Sequence, residues 1–347
     1  MKAAVLEAFN EPLVVKQVSD PILAPDGVIL KLEATGICRS DLHGWHGGLG
    51  AIKTFPHILG HEMSGIVQEV GKDIRNFKKG DRVIVPFNQG DGVCPHCQSG
   101  HHNLCDNLKM VGFHIDGGFA EYIHIPNADL NLLHLPEGID FLTASAMGCR
   151  FMTAFHGVVS RGNVRPGEWV AVYGSGGVGL SAIQIATAAG ANVIAVDIAE
   201  DKLDFAKQMG AVAAVNSKET NAPQAIMELT KGGANLSIDA LGIQDTVVNS
   251  VMSLAKRGRH LQLGVSSNPQ GGMTPVPVNL MLLKELTLVG SAGMPVPEYR
   301  EMLQMVEQGK LAPGKLVTKQ IALDDINAAF EEMNNYAGVG VTVITKF

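Results

Sequence analysis

The chain has 347 residues, carries a formal net charge of −7, and is 46% hydrophobic and 18% charged with 40 glycines. A single hydrophobic core stops growing at roughly 250 to 300 residues, so two domains are expected, and the composition excludes disorder and coiled coil. No global positive field exists to hold a phosphate backbone or an anionic membrane surface, so nucleic acid and membrane are not expected partners.

The opening Met1-Lys2-Ala3-Ala4-Val5-Leu6-Glu7 has too short an apolar run for a signal-peptide core, which predicts a cytoplasmic protein. Five cysteines, an odd number, in a reducing compartment point to metal ligation or thiol chemistry rather than disulfides.

From the N-terminus to about residue 150, alternating segments at Val28–Leu32, Met63–Val70, Arg82–Val85 and Ala120–Ile125 are bounded by Gly, Pro, Asn and Asp. That pattern predicts a mostly antiparallel sheet or barrel. Cys38-Arg39-Ser40-Asp41-Leu42-His43 and Gly60-His61-Glu62 set a dense group of donors, acceptors and ligands beside these strands. Further on, Asp91-Gly-Val-Cys94-Pro-His-Cys97 is followed, after seven intervening residues, by Cys105. Three thiolates at these spacings close on one tetrahedral zinc, which needs a fourth ligand. Asp91 precedes Cys94 by the interval that separates Cys94 from Cys97, which favours its carboxylate, with His96, His101 and His102 as alternatives. Cys38 and Cys149, taken singly, read as small buried apolar residues. Histidines 46, 57, 114, 124, 134, 156 and 260 lack ligand-rich neighbours and read as solvated or core residues.

From about Gly157 to Gly290, short β-branched runs alternate with helical patterns, as in a parallel sheet wound with helices on both faces. The predicted strands are Val170–Tyr173, Asn192–Val196, Ala213–Val215, Leu236–Asp239, His260–Gly264 and Leu286–Gly290. The predicted helices are Val178–Ala189, Lys202–Met209, Pro223–Thr230 and Thr246–Ala255, with Gly190, Gly210 and Gly258 suited to left-handed C-caps. The stretch from Trp169 to Val196 has no charged residue, yet five glycines break it into strand, turn, helix and strand rather than a membrane span.

Within that stretch, Gly174-Ser-Gly176-Gly177-Val178-Gly179 lies between a strand and a helix, where Gly174 makes the turn, Gly176 admits a pyrophosphate, and Gly179 allows close helix packing. Asp197 ends the next strand 18 residues after Gly179, placed to accept hydrogen bonds from an adenosine ribose, and Lys202 follows on the next helix within reach of a ribose hydroxyl. A 2′-phosphate about 4 Å from the Asp197 carboxylate would meet ~4 kcal/mol of repulsion per unit charge at an effective dielectric of 20, about a thousandfold against NADP. NAD is therefore the predicted cofactor. The tail carries predicted helices near Glu298–Glu307 and Asp324–Met333 and a final strand Val339–Thr345, expected to return to the first domain.

Together these motifs resemble the medium-chain, zinc-dependent alcohol dehydrogenases over essentially the whole chain. The resemblance implies an α/β architecture: a GroES-like, mostly antiparallel β-barrel catalytic domain over residues 1–150, a Rossmann doubly wound parallel sheet over 151–290, and a segment 291–347 returning to the catalytic domain. Cys38, His61 and Cys149 look like the catalytic-zinc ligands, and the cysteine-rich lobe like a structural zinc site. Ser40 would pass the substrate proton, through the nicotinamide ribose, toward His43. Asp41 would orient His61, and Glu62 would sit behind the metal. Arg39 resembles the pyrophosphate-binding residue and Thr153 a nicotinamide contact, with Val178, Gly264 and Val265 among the cofactor contacts. Phe87, Trp45 and Leu49 resemble walls of the substrate pocket. Two departures stand out: Asp91 occupies a position usually held by cysteine, and Val339-Gly340-Val341 replaces a glycine-arginine step that helps hold the cofactor in many members.

The implied function is reversible oxidation of primary, or secondary, alcohols to aldehydes or ketones by hydride transfer to NAD, with two zinc ions per subunit in a homotetramer or dimer. A polyol or threonine dehydrogenase typically has glutamate where Cys149 stands, and a metal-free NADPH reductase generally lacks the Cys38, His61 and Cys149 set. A non-catalytic nucleotide or metal sensor would have no use for Ser40 and His43.

Overall fold

The computed structural model describes residues 1–48, 50–266 and 272–347. The chain divides into two compact units, Met1–Cys149 with Gly293–Phe347, and Arg150–Ala292.

In the first unit, one sheet runs in the order Leu133–His134, Arg82–Ile84, Glu62–Val70, Val28–Ile37, Val341–Lys346, Val317–Ala322, and Tyr122–Ile125 also pairs with Val28–Ile37. All of these pairs are antiparallel except Val317–Ala322 with Val341–Lys346. The C-terminal strand lies beside Val28–Ile37, Val343 opposite Gly36, so the tail is part of this unit's main sheet. Lys2–Leu6 forms a smaller antiparallel sheet with Val14–Gln17 and His57–Ile58. The predicted alternation follows from burial of one face: Val28, Leu30 and Leu32 pack with Met63, Val67, Val83 and Ile123 in one core, while Lys31 points outward.

The second unit is a six-stranded, wholly parallel sheet in the order Ala213–Asn216, Asn192–Asp197, Trp169–Tyr173, Ala234–Asp239, Leu254–Gln262, Thr287–Gly290. Its central strands are apolar on both faces because helices cover both. Numbered along the chain, the order is 3-2-1-4-5-6, whose switch point, between the Trp169–Tyr173 and Ala234–Asp239 strands, is where such sheets take a dinucleotide. The uncharged stretch resolves into strand Trp169–Tyr173, helix Gly177–Ala188 and strand Asn192–Asp197. No helix among the described residues is long and apolar enough to cross a membrane.

Gly190 and Gly210 take the left-handed conformation expected of C-caps, at φ +87° and +115°. Gly258 does not cap a helix. The helix that starts at Gln244 stops at Met252, short of the predicted Ala255, because the Ser253 hydroxyl bonds back to the Asn249 carbonyl at 2.8 Å and the fully buried Leu254 pairs with Ala234. A bulge then carries the chain, with Arg257 at φ +61°, to the ladder at Arg259. A short helix at Val278–Lys284 was not anticipated either.

Candidate metal centre and dinucleotide loop

The first candidate centre gathers around the end of strand Val28–Ile37. Cys38 caps helix Arg39–Trp45, His61 precedes strand Glu62–Val70, and Cys149 opens helix Cys149–Phe155. One ligand atom each from Cys38, His61, Glu62 and Cys149 lie within 4.8 Å of one another. Asp41 organises the group: one carboxylate oxygen accepts from the Cys38 amide at 2.8 Å, and the other from His61 Nδ1 at 2.7 Å and the Gly60 amide at 3.2 Å. Both His61 and Asp41 side chains are wholly buried.

With Nδ1 committed to Asp41, His61 turns Nε2 toward the thiols, and that buried nitrogen has no hydrogen-bond partner. Burial alone pushes the imidazole pKa down, but the Asp41 charge and hydrogen bond, joined by Cys38, raise it well above the ordinary value. An orphaned ring nitrogen beside two sulfurs and a carboxylate is the donor set that zinc takes, and a ligating histidine usually gives its other nitrogen to a carboxylate. The residues therefore fit the metal.

Glycines make this convergence possible. A Cβ on Gly148 would lie 2.5 Å from the Glu62 Cβ, so only glycine lets the Cys149 helix reach the carboxylate. Gly60 sits at φ +100°, and a Cβ on Gly117 would fall 2.2 Å from its carbonyl oxygen. The sequence reading missed Gly148 and Gly117, whose roles depend on partners far away in the chain. It also missed Phe113, whose ring lies 5.1 Å from that of His61. Phe87 meets His61 edge-to-face at 5.7 Å. Trp45 packs on Phe330, with its indole N–H donating to the Glu11 carbonyl at 2.6 Å. Leu49 lies outside the described residues.

Ser40 and His43 stand one turn apart on the same helix, and the Ser40 hydroxyl is 3.8 Å from the Cys38 sulfur. Burial, then the Arg39 charge, lowers the pKa of His43. At neutral pH the ring is therefore an uncharged proton acceptor.

In the cysteine-rich lobe, Asp91, Cys94, Cys97 and Cys105 likewise bring one ligand atom each within 4.8 Å of the others, and no disulfide joins any of the five cysteines. The Asp91 carboxylate accepts from the amides of Val93 at 2.9 Å and Cys94 at 3.0 Å and from the Asn107 side chain at 2.7 Å. These donors, the Cys94 amide foremost, hold its pKa far below the usual carboxylate range. His96 pairs instead with Asp106, and His101 with Ser99. None of the seven histidines read as solvated or core residues belongs to either ligand group.

In the second unit, Gly174 turns at φ +94°, and a Cβ there would lie 2.6 Å from Leu241 Cγ. Gly179 packs on the turn itself, since a Cβ would fall 1.7 Å from the Gly174 carbonyl oxygen, and one on Gly177 would meet Arg150 at 2.4 Å. Gly176, the N-cap of the helix, is different: beyond its immediate chain neighbours, no atom of the described residues lies within 4 Å of a Cβ built there, so the glycine keeps open space over the amides. Val178 follows in the first helical turn. Asp197 accepts from the Ser175 amide at 2.7 Å through one oxygen and from the amides of Ile198 and Ala199 at 2.8 and 3.2 Å through the other. Strand end and glycine turn are thereby locked together. Lys202 sits in the first turn of helix Glu200–Gln208, and Thr153 is buried in the helix after Cys149.

Gly264 approaches a second loop so closely that a Cβ would lie 2.3 Å from the Gly242 amide nitrogen, and Val265 beyond it is exposed. Asp239 and Gln262, missed in the sequence, tie these loops: Asp239 accepts from the Gly242 amide at 2.7 Å and from Gln262 at 2.6 Å, and Gln262 also donates to the Gly264 carbonyl at 2.8 Å.

Two family models match the chain: the alcohol dehydrogenase GroES-like domain at residues 24–137 and the zinc-binding dehydrogenase at residues 177–308. An alcohol dehydrogenase of Geobacillus stearothermophilus is 34% identical, over 96% of both chains. An NAD-dependent alcohol dehydrogenase of Sulfurisphaera tokodaii is 31% identical over 99% of both. Among solved structures, the alcohol dehydrogenase of Thermus sp. ATN1 superposes with a TM-score of 0.92 at 30% identity, covering 100% of each chain. With the ligand groups and the glycine loop, these likenesses make the chain a member of the zinc-dependent, medium-chain alcohol dehydrogenase family.

Proposed function

We propose that the protein is a zinc-dependent, NAD-linked alcohol dehydrogenase that interconverts primary or secondary alcohols with aldehydes or ketones. The observation that carries this reading is the buried His61 nitrogen, unpartnered and aimed at two sulfurs. Cys38, His61 and Cys149 would hold the catalytic zinc, with Glu62 as a reserve ligand during exchange and Asp41 fixing the imidazole tautomer. Bound there, zinc supplies Lewis acidity: for water the pKa drops from 15.7 to about 7, ~12 kcal/mol in favour of the anion, against ~1 to 3 kcal/mol from a charged hydrogen bond. The substrate proton then passes by Ser40 to the uncharged His43.

Gly174, Gly176, Gly177, Val178 and Gly179 would cradle the NAD pyrophosphate, and Arg39, by its likeness to the family's residue, is a proposed pyrophosphate ligand. Asp197 and Lys202 would bind the adenosine ribose, and Thr153, Gly264 and Val265 the nicotinamide end. Phe87 and Trp45 are the proposed apolar walls for the substrate. Asp91, Cys94, Cys97 and Cys105 would hold a second, structural zinc. Residues 1–150 are the proposed catalytic domain, 151–290 the NAD-binding domain, and 291–347 a return to the former, supported by the pairing of Val341–Lys346 with Val28–Ile37.

Five cysteines outside disulfides suit a cytoplasmic enzyme. A homotetramer, or a dimer joined edge to edge, is favoured by the edge strand Thr287–Gly290 and by Leu282 and Leu283, each 75% exposed on the neighbouring helix. Sedimentation of the purified protein gives the subunit number.

The deciding experiment is NAD-linked turnover over an alcohol panel before and after treatment with a chelator. Activity on simple alcohols that disappears on zinc removal and returns on zinc addition is expected; full activity without metal overturns the reading, and a preference for sorbitol or threonine redirects it to those substrates. His43→Ala is expected to slow turnover roughly ten- to a hundredfold near neutral pH and much less at high pH, where hydroxide removes the proton. Equal losses at both would take His43 out of the proton path.

A further inference from the structure

Arg39 is half-buried, and among the described residues no carboxylate pairs with it. Two contacts fix it instead. Its Nη1 donates to the Met333 carbonyl at 3.0 Å, and its Cζ lies 3.8 Å from the centre of the Tyr336 ring. Both contacts come from one turn at the end of helix Ile326–Asn334, because the Met333 carbonyl also accepts the Tyr336 amide at 3.1 Å. Tyr336 takes the left-handed conformation at φ +55°, rare for a bulky side chain.

A guanidinium has five N–H donors in its plane, and stacking uses only its face. The ring therefore immobilises Arg39 while its remaining donors stay available to an anion. Fixing a long side chain beforehand removes an entropy cost that binding would otherwise carry. The need is acute in this chain, where Val339-Gly340-Val341 offers no further arginine.

We propose that Tyr336 is a positioning residue that pins Arg39 as the receptor for the diphosphate of the dinucleotide. The inference rests on the assignment of Arg39 given above. Its test is titration of the zinc-loaded enzyme with NAD, and separately with adenosine, which lacks the diphosphate, for native protein and for Arg39→Ala, Tyr336→Ala, Tyr336→Leu and Tyr336→Phe. Tyr336→Ala and Tyr336→Leu are expected to weaken NAD binding about three- to thirtyfold, Tyr336→Phe by no more than about twofold, and adenosine binding is expected to hold in all of them.

Native NAD affinity in Tyr336→Ala with a clear loss in Arg39→Ala overturns the role of Tyr336 and leaves Arg39 assigned. Native affinity in Arg39→Ala removes the assignment of Arg39 itself. Losses in Tyr336→Phe as large as in Tyr336→Ala, or losses of adenosine along with NAD, show that the ring face is not the determinant and overturn the proposal.

Discussion

Replacing His61 with alanine is expected to lower alcohol turnover at least ~10,000-fold and to remove one of the two proposed zinc ions from each subunit. The magnitude follows from the ~12 kcal/mol by which a bound zinc favours a captured oxygen anion, most of which no other group in the site supplies. The loss should appear in kcat as well as in kcat/KM, because the interaction grows as the hydroxyl loses its proton. Since removing a fully buried ring also opens a cavity, Cys149→Ser at the start of its helix is the companion variant, and near-native melting of either variant separates chemistry from folding. Asp41→Asn leaves every ligand in place but weakens the hold on the imidazole tautomer, and is expected to cost about ten- to a hundredfold in zinc affinity. Elemental analysis and turnover check all three. A His61→Ala protein that keeps both its zinc content and its turnover would overturn the assignment. The raised pKa of His61 adds a pH dependence, because protons compete with metal for Nε2 below that pKa. Chelators should strip the site faster as pH falls.

The second large effect concerns cofactor choice. The native enzyme is expected to favour NAD over NADP by about a thousandfold in kcat/KM, and Asp197→Asn to shrink that ratio by roughly two orders of magnitude. Three backbone amides hold the Asp197 carboxylate, so it has no freedom to swing away from an incoming 2′-phosphate. Asparagine keeps an oxygen acceptor and removes the charge, which isolates the electrostatic part of the discrimination. Native preference for NADP, or a ratio unmoved by the substitution, would remove Asp197 from that role.

Local sequence carried much of this. The glycine loop, the strand ending in Asp197 and the cysteine lobe were legible because each is closed by contacts within a few tens of residues and obeys a fixed spacing. Among the histidines expected to be solvated or core residues, His57 and His260 are of the second kind, buried and hydrogen-bonded to Gly112 and Ser250. Failures cluster where a distant partner decides the outcome. The helix predicted to reach Ala255 ends at Met252 because a strand claims Leu254, and periodicity within the helix cannot register that competition. The resemblance implies that Trp45 walls the substrate pocket, and its packing on Phe330 is a contact that only the tertiary structure shows.

By itself, then, the sequence determined the two kinds of sheet, the glycine turn between strand and helix and the residue types able to bind metal, since period, glycine placement and ligand spacing are local properties. Tertiary structure decided which distant groups meet. It brought Cys149 to Cys38 and His61, made Gly148 obligatory against Glu62, and stacked Tyr336 on Arg39 from the far end of the chain. Such contacts depend on close packing between segments far apart in sequence, where a single added methyl group forbids the approach and no neighbouring residue announces it.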